Sequence, residues 1–428
     1  MHTLLVGVGQ EIITPPLGTM MMGYSPMRPA LSVHDDLHVT AFAFQSGDTQ
    51  VLLLSADLCN IAFPQGEIRA AITKACGVPE NHIVISCTHT HSGPTAQNTE
   101  LGAAYVRSVF IPRAAAAAKT AVEHLRPAQM GIGTTNSDVA VNRRQIGEDG
   151  TILLGQNPYG PWDPTMTVVA FREPDGTPLG SILQYGCHNT ASGKNDEISR
   201  DWCGVAVDRL QTLTGGIAAF INGCGGDCGP RLPNGGTTGD VTMAQELGGK
   251  AGIDAMRAYN AIRQWQSVPV KVLHAEIPLP LADIGTPEQL QGKIDAMGDP
   301  SALKGVDWNT YRHLTERLEY LRQGNIPPKT RSITGTFFAL GELALCPLPF
   351  EVFSIITLRI KEGSPFLHTL VPGYSNGSLS YSPSMDQIIR GGYEIEMFQS
   401  NNIVPFADNA EQALVSGSLK LLRELHTM

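Results

Sequence analysis

Histidines at the ends of apolar strands are the residues of this sequence best placed to do chemistry. The stretch "HIVISCTHTHSGP", residues 82–94, ends an apolar run with His89 and His91 and then turns at once through Ser92, Gly93 and Pro94. In an extended strand, side chains two residues apart share a face, so both imidazoles are expected on the side of Ile83, Ile85 and Cys87. Two readings account for such a pair. Neutral imidazoles can ligate a metal from a rigid strand end, or the two can form a hydrogen-bonded structural pair.

Other segments show the same design. "SILQYGCHNT" closes a strand with His188, and "EISRDWCG" follows it with Asp201. "AAFINGCGGDCGP" ends a strand at Asn222 and enters a glycine-rich turn carrying Asp227. Glycines there allow close approach of backbone to a ligand. The carboxylate of Asp227 can orient an imidazole or bind an ion, or it can cap the helix that follows. "LALCPLPFEVF" sets Glu351 between an apolar strand and a helix, as a ligand or as a first-turn acid complementing the helix dipole. Two or three histidines with one carboxylate make the donor set of a catalytic zinc site with an open position. That set predicts a metal hydrolase.

Rival motifs are weak. "VGVGQE" lacks the third glycine and the following helix of a dinucleotide fingerprint, and "HTHSGP" contains no GxSxG elbow. An HxH pair also opens the metal site of amidohydrolase barrels. That fold would need eight regular strand and helix alternations and further strand-end histidines, which this chain does not offer.

The elements that must position these residues are short apolar strands alternating with a few helices. "VTAFAF", "VLLLSAD", "HIVISC", "MTVVAF", "GSILQYGC" and "GIAAFING" read as strands, and "FPQGEIRAAITKAC", "AAYVRSVFIPRAAAAAKTAVEHL" and "DVTMAQELGGKAGIDAMRAYNAI" as amphipathic helices. The expected fold is α/β, mixed β-sheets flanked by helices, in a single domain over residues 1–428. A charged helical pair over 283–325 interrupts it, as a packed hairpin or as a lid over the site. No internal repeat, low-complexity tract or linker is visible.

Composition bounds the partners. With 428 residues and 42% apolar content the chain can build a sizeable core, and a net charge of −10 without basic runs argues against nucleic acid or a polybasic membrane patch. A small-molecule substrate is the expected partner, and a homo-oligomer is compatible with the composition. Eight cysteines without zinc-ribbon spacing read as buried thiols of a reducing compartment, with a redox role for Cys224 and Cys228 as the alternative. The N-terminus has no basic region or apolar signal core, and no run approaches a membrane span, so a cytoplasmic location is expected.

Taken in order, "VGVGQEIITPP", "MMGY", "VHDDLHVTAFAF", "VLLLSADL", "CTHTHSGP", "VNRR", "GCHNT" and "INGCGGDCGP" resemble the catalytic domain of neutral/alkaline ceramidases, from residue 4 to roughly 400. The resemblance implies a zinc ion at the base of a pocket, activating water for amide hydrolysis. It implies His89, His188, Glu351 and Tyr381 as ligands, Tyr381 being chosen from a segment that also holds Tyr374 and Tyr393. It implies His91 as a catalytic helper, Arg143 of "VNRR" as the arginine meeting substrate or oxyanion charge, and Asp227 as the aspartate of the family's "GD" turn. Asn222 and Asp201 are expected to line the substrate.

Three departures separate this chain from ceramidases: Gly229 stands where the family has serine, the family's C-terminal β-sandwich has no counterpart, and an export signal is absent. The expected function is therefore a zinc-dependent hydrolase of a small polar amide, ester, lactone or glycoside. The alternatives are a ceramidase or other N-acyl-lipid amidohydrolase, and a non-catalytic ligand-binding member of the fold.

Overall fold

A computed structural model describes residues 3–428, apart from the side chains of residues 305 and 306. The chain builds one unit three times. In the first, Leu5–Ile12, His38–Ser46 and Thr49–Ala56 pair antiparallel in order, the helix Gln65–Cys76 crosses over, and Ile83–Cys87 returns parallel to Thr49–Ala56. The second repeats this with Gln129–Asn136, Thr165–Arg172 and Pro178–Tyr185, the helix Asp201–Thr214, and the parallel strand Ile217–Asn222. The third uses Val270–Pro280, Thr330–Leu340 and Leu343–Leu345, the helix Ser354–Gly363, and His368–Leu370.

A further helix closes each unit against its first strands: Ile111–Glu123, Val241–Asn260 and Ala410–Thr427. The expectation that no repeat exists thus holds for the letters and fails for the structure. What recurs is pairing order and face alternation, which many different apolar sequences satisfy.

That alternation builds the core. In His38–Ser46, Phe42 and Phe44 point inward while Ala41 and Ala43 face the helices; in Thr165–Arg172, Val169 and Phe171 point inward while Val168 and Ala170 face outward. In Thr330–Leu340, Phe338 and Leu340 point inward and Phe337 and Ala339 outward. The three inner faces meet in one shared cluster, and each outer face is covered by its own helices. Strands buried on both faces must be apolar throughout, which is why they read as continuous runs. The mixed α/β architecture expected from the sequence is the one observed, and it is not a closed eight-stranded barrel.

The consequence for function lies at the ends of the parallel pairs. The carboxyl ends of these strands point to a common region, and His89, His188 and Glu351 follow them in units one, two and three.

The helical pair falls between the first two strands of the third unit, as Pro287–Ala296 and Gly305–Arg322. Thr286 and Gln289 cap the first helix reciprocally. Leu290, Ile294, Leu314 and Leu318 give the pair a small core of its own. Arg317 ties it to the third unit by donating to the carbonyls of Gln399, Asn402 and Ile403. No described helix is long and apolar enough to cross a membrane. The eight cysteines are free, and Cys224 and Cys228 are both buried.

Candidate metal centre

The strand that was expected to carry His89 and His91 in alternation stops at Cys87. His89 itself adopts φ 68°, a left-handed conformation that costs a non-glycine residue energy. The two imidazoles still meet, with Nε2 atoms 3.1 Å apart, but a turn brings them together rather than the two-residue period of a strand.

His89 donates Nδ1–H to the Cys59 carbonyl at 2.7 Å, and His188 donates its Nδ1–H to the Gly225 carbonyl at 2.7 Å. A carbonyl only accepts, so both Nδ1 atoms carry a proton, and in the neutral rings both Nε2 atoms keep a lone pair. These lone pairs converge on Glu351, whose Oε2 lies 3.4 Å from His89 Nε2 and 3.2 Å from His188 Nε2. Neither His188 Nε2 nor Glu351 Oε2 has a hydrogen-bond partner, although both are buried.

With the rings neutral, acceptor atoms of three residues lie within 4.8 Å of one another with no donor between them, an arrangement suited to a cation. The electrostatics agree. Burial opposes charge on His89, but the fields of Cys59 and Glu351 override it and raise its pKa. Burial and Arg143 push His188 down to about 4, and His89 and His188 hold Glu351 well below the usual carboxylate range against the effect of burial. Without a metal, a proton on His89 Nε2 takes the place of the cation; the lone-pair arrangement is that of the neutral rings.

Each of these groups is held by its own support. Trp202 Nε1 donates to the His188 carbonyl at 2.9 Å. The carboxylate of Asp201 accepts from the backbone of Ala191, Ser192 and Trp202, which pins the turn after His188. Asn222 accepts from Cys187 N and donates to the Thr88 carbonyl, tying the second unit to the turn before His89. Asp227 accepts from Ser354 N at 2.7 Å, from Ser354 Oγ and from Asn142 Nδ2. It therefore caps the helix beginning at Ser354, remote in sequence, rather than the one that follows it. Glu351 sits not in the first turn of that helix but in a two-residue strand paired with Tyr381–Ser382.

The remaining expected residues gather at the same place. Tyr381 stands opposite Glu351, and its hydroxyl accepts from Arg143 Nη2 at 2.9 Å. Tyr374 stacks on His89 with ring centroids 4.1 Å apart, and its buried hydroxyl is without a partner. Tyr393 packs edge-on against Tyr381 at 6.0 Å. His91 is held neutral by burial and by its histidine neighbours, with Nδ1 unpartnered.

The sequence did not single out Gly23 and Tyr24 of "MMGY" individually. Tyr24 meets the His91 ring at 5.2 Å, and a Cβ on Gly23 would come within 2.5 Å of His91 Cγ. Cys59, also unremarked, forms a second group of potential ligands with His89 and His91. No local pattern could have flagged these, since a loop over one imidazole and a thiol behind another are products of packing.

A side chain at Gly229 would meet Thr237, whose Cβ lies 2.7 Å from the built position. Glycine fits the space left here. A cavity of about 470 Å³ lies beyond Asp227, lined by Asn142, Arg144 and Gln387 among others, and does not touch the histidines. A smaller one of about 200 Å³ borders Tyr393 and lies between Gly305–Arg322 and Tyr393–Ser400, with His313, Thr310, Glu396 and Gln399 in its wall.

Residues 4–243 match the family model "Neutral/alkaline non-lysosomal ceramidase, N-terminal". No curated protein matches the chain in sequence. Among solved structures, the chain is similar to the neutral ceramidase from Pseudomonas aeruginosa, with a TM-score of 0.73 at 20% identity over 99% of this chain and 75% of that one. It is similar also to a ceramidase complexed with C2, with a TM-score of 0.73 at 18% identity over 100% of this chain and 76% of that one.

Proposed function

The chain belongs to the neutral/alkaline non-lysosomal ceramidase family, and on that premise we propose that it is a zinc-dependent hydrolase of a small polar amide, ester, lactone or glycoside. Family and fold support a hydrolase. The observation that carries the metal is the convergence of His89 Nε2, His188 Nε2 and Glu351 Oε2 with no donor among them.

The Nε2 atoms of His89 and His188, the Glu351 carboxylate and the Tyr381 phenol would hold the ion. Bound there, zinc supplies Lewis acidity at a carbonyl and a more acidic water. His91, neutral and with Nε2 3.1 Å from His89 Nε2, would move the proton. Arg143, whose Nη2 donates to the Tyr381 hydroxyl, would offer positive charge to a developing oxyanion. Asp227, Asn222 and Asp201 would act by holding the segments that carry these groups.

The first reading is supported by Gly229, which stands in the turn where the resembled ceramidases carry serine and where a side chain would meet Thr237. The second reading, hydrolysis of ceramide or another N-acyl lipid, is supported by similarity to ceramidases along the whole chain. Zinc content of the purified protein beside His188→Ala, followed by turnover on a panel of amides, esters, lactones, glycosides and a short-chain ceramide, tests both. About one zinc per chain in the parent, little in the variant, and turnover of a polar member support the first reading. Turnover of ceramide alone selects the second. Zinc without turnover of any member favours a ligand-binding role.

A further inference from the structure

One buried carboxylate holds both arginines of "VNRR". Glu394, fully buried, accepts from Arg143 Nε at 2.8 Å through Oε1 and from Arg144 Nη1 at 2.7 Å through Oε2. Adjacent residues of a regular strand point to opposite faces. Here the register of Ala140–Ile146 against Ile152–Asn157 shifts between Asn142 and Arg144, and this irregularity lets neighbours turn to one acceptor. Arg144 spends its other donors on Gln387 Oε1 and the Gly391 carbonyl, both in the segment leading to Glu394. Arg143 instead sends Nη2 to the Tyr381 hydroxyl. Two cations and one anion leave a single net positive charge, and Arg143 presents it to the phenol.

We propose that Glu394 is a positioning residue: it fixes the Arg143 guanidinium against Tyr381 and limits the charge there to one, while Arg144 braces its second oxygen. This rests on the reading of Arg143 and Tyr381 given above. Arg143 has several rotatable bonds and no rigid support of its own, so its donor is placed only as well as its anchor is. A purely structural Glu394 would be needed equally whether or not Arg143 were present.

The test is a double-mutant cycle of Glu394→Gln and Arg143→Met in the zinc-loaded, full-length protein, read by kcat, KM and zinc affinity from chelator competition. We expect Glu394→Gln to lower kcat roughly 10- to 100-fold with KM nearly unchanged, and to weaken zinc roughly 10-fold. In the Arg143→Met background both losses should shrink to about twofold or less. Equal losses in the two backgrounds, or a folded Glu394→Gln protein with unchanged kcat and zinc affinity, would overturn the proposal. If Glu394→Gln alone does not fold, the same cycle is run in Arg144→Met, where removing Glu394 leaves the original single net charge. If no substrate is hydrolysed, the hydrolase reading fails, and the zinc-affinity cycle still decides the role of Glu394.

Discussion

Glu351 and Tyr381 are direct cross-strand partners in a two-residue parallel pairing, with Val352 opposite Ser382. The pairing sets a carboxylate and a phenol side by side next to His89 and His188. Tyr374 reaches the same place differently, at φ 51° and stacked on His89. Burial and the Glu351 charge hold the Tyr381 phenol in its neutral form, so recruiting it as a ligand requires a cation.

The two tyrosines can be told apart by metal binding. His188→Ala and Glu351→Gln should each retain under about a tenth of the parent zinc, since each removes a donor of the proposed site. Tyr381→Phe should weaken zinc roughly 10-fold and Tyr374→Phe leave it nearly unchanged. Plasma mass spectrometry and chelator titration read this; the reverse order would assign the fourth ligand to Tyr374.

Gly23→Ala should reduce turnover without removing zinc. Gly23 has φ 112° and lies against the His91 ring, so a methyl group must displace either the loop or the imidazole. A loss of roughly 10-fold or more in kcat with parental zinc content is expected. Parental kcat in the variant would remove His91 from the proton-transfer role.

Asp227→Ala should destabilise the fold by about 2–5 kcal/mol, because it strands the Ser354 N–H and the Asn142 amide in a buried setting. The segment behind Glu351 loses its anchor at the same time. Chemical denaturation gives the stability, and zinc affinity should fall with it.

Asp57 should make stability depend on pH. Burial raises its carboxyl from 3.8 to about 6, although His38 N donates to it. A raised carboxyl pKa favours the protonated form in the fold, so its contribution is full below about pH 4 and is lost as pH rises through about 6. Relative to Asp57→Asn, the parent should therefore lose about 2–3 kcal/mol between pH 4 and 7.5. Parallel stability curves for the two proteins across that range would refute the assignment.

The sequence was most legible where burial dictates residue type. Strands covered on both faces had to be apolar, so their positions and the α/β class could be read directly from the runs. A resemblance in eight ordered segments supplied the family and with it an expected ligand set, where histidine positions alone leave structural and metal roles equally open.

Side-chain direction was not legible. The positive φ of His89, the transfer of Asp227 to a helix remote in sequence, and the shared carboxylate of Arg143 and Arg144 all depend on which segments meet. The threefold unit was hidden for the same reason, since pairing order constrains faces and not identities. The sequence by itself determined which residues could bind and which runs had to be buried. Only the tertiary structure decided which lone pairs face one another, because that follows from contacts between chain segments tens to hundreds of residues apart.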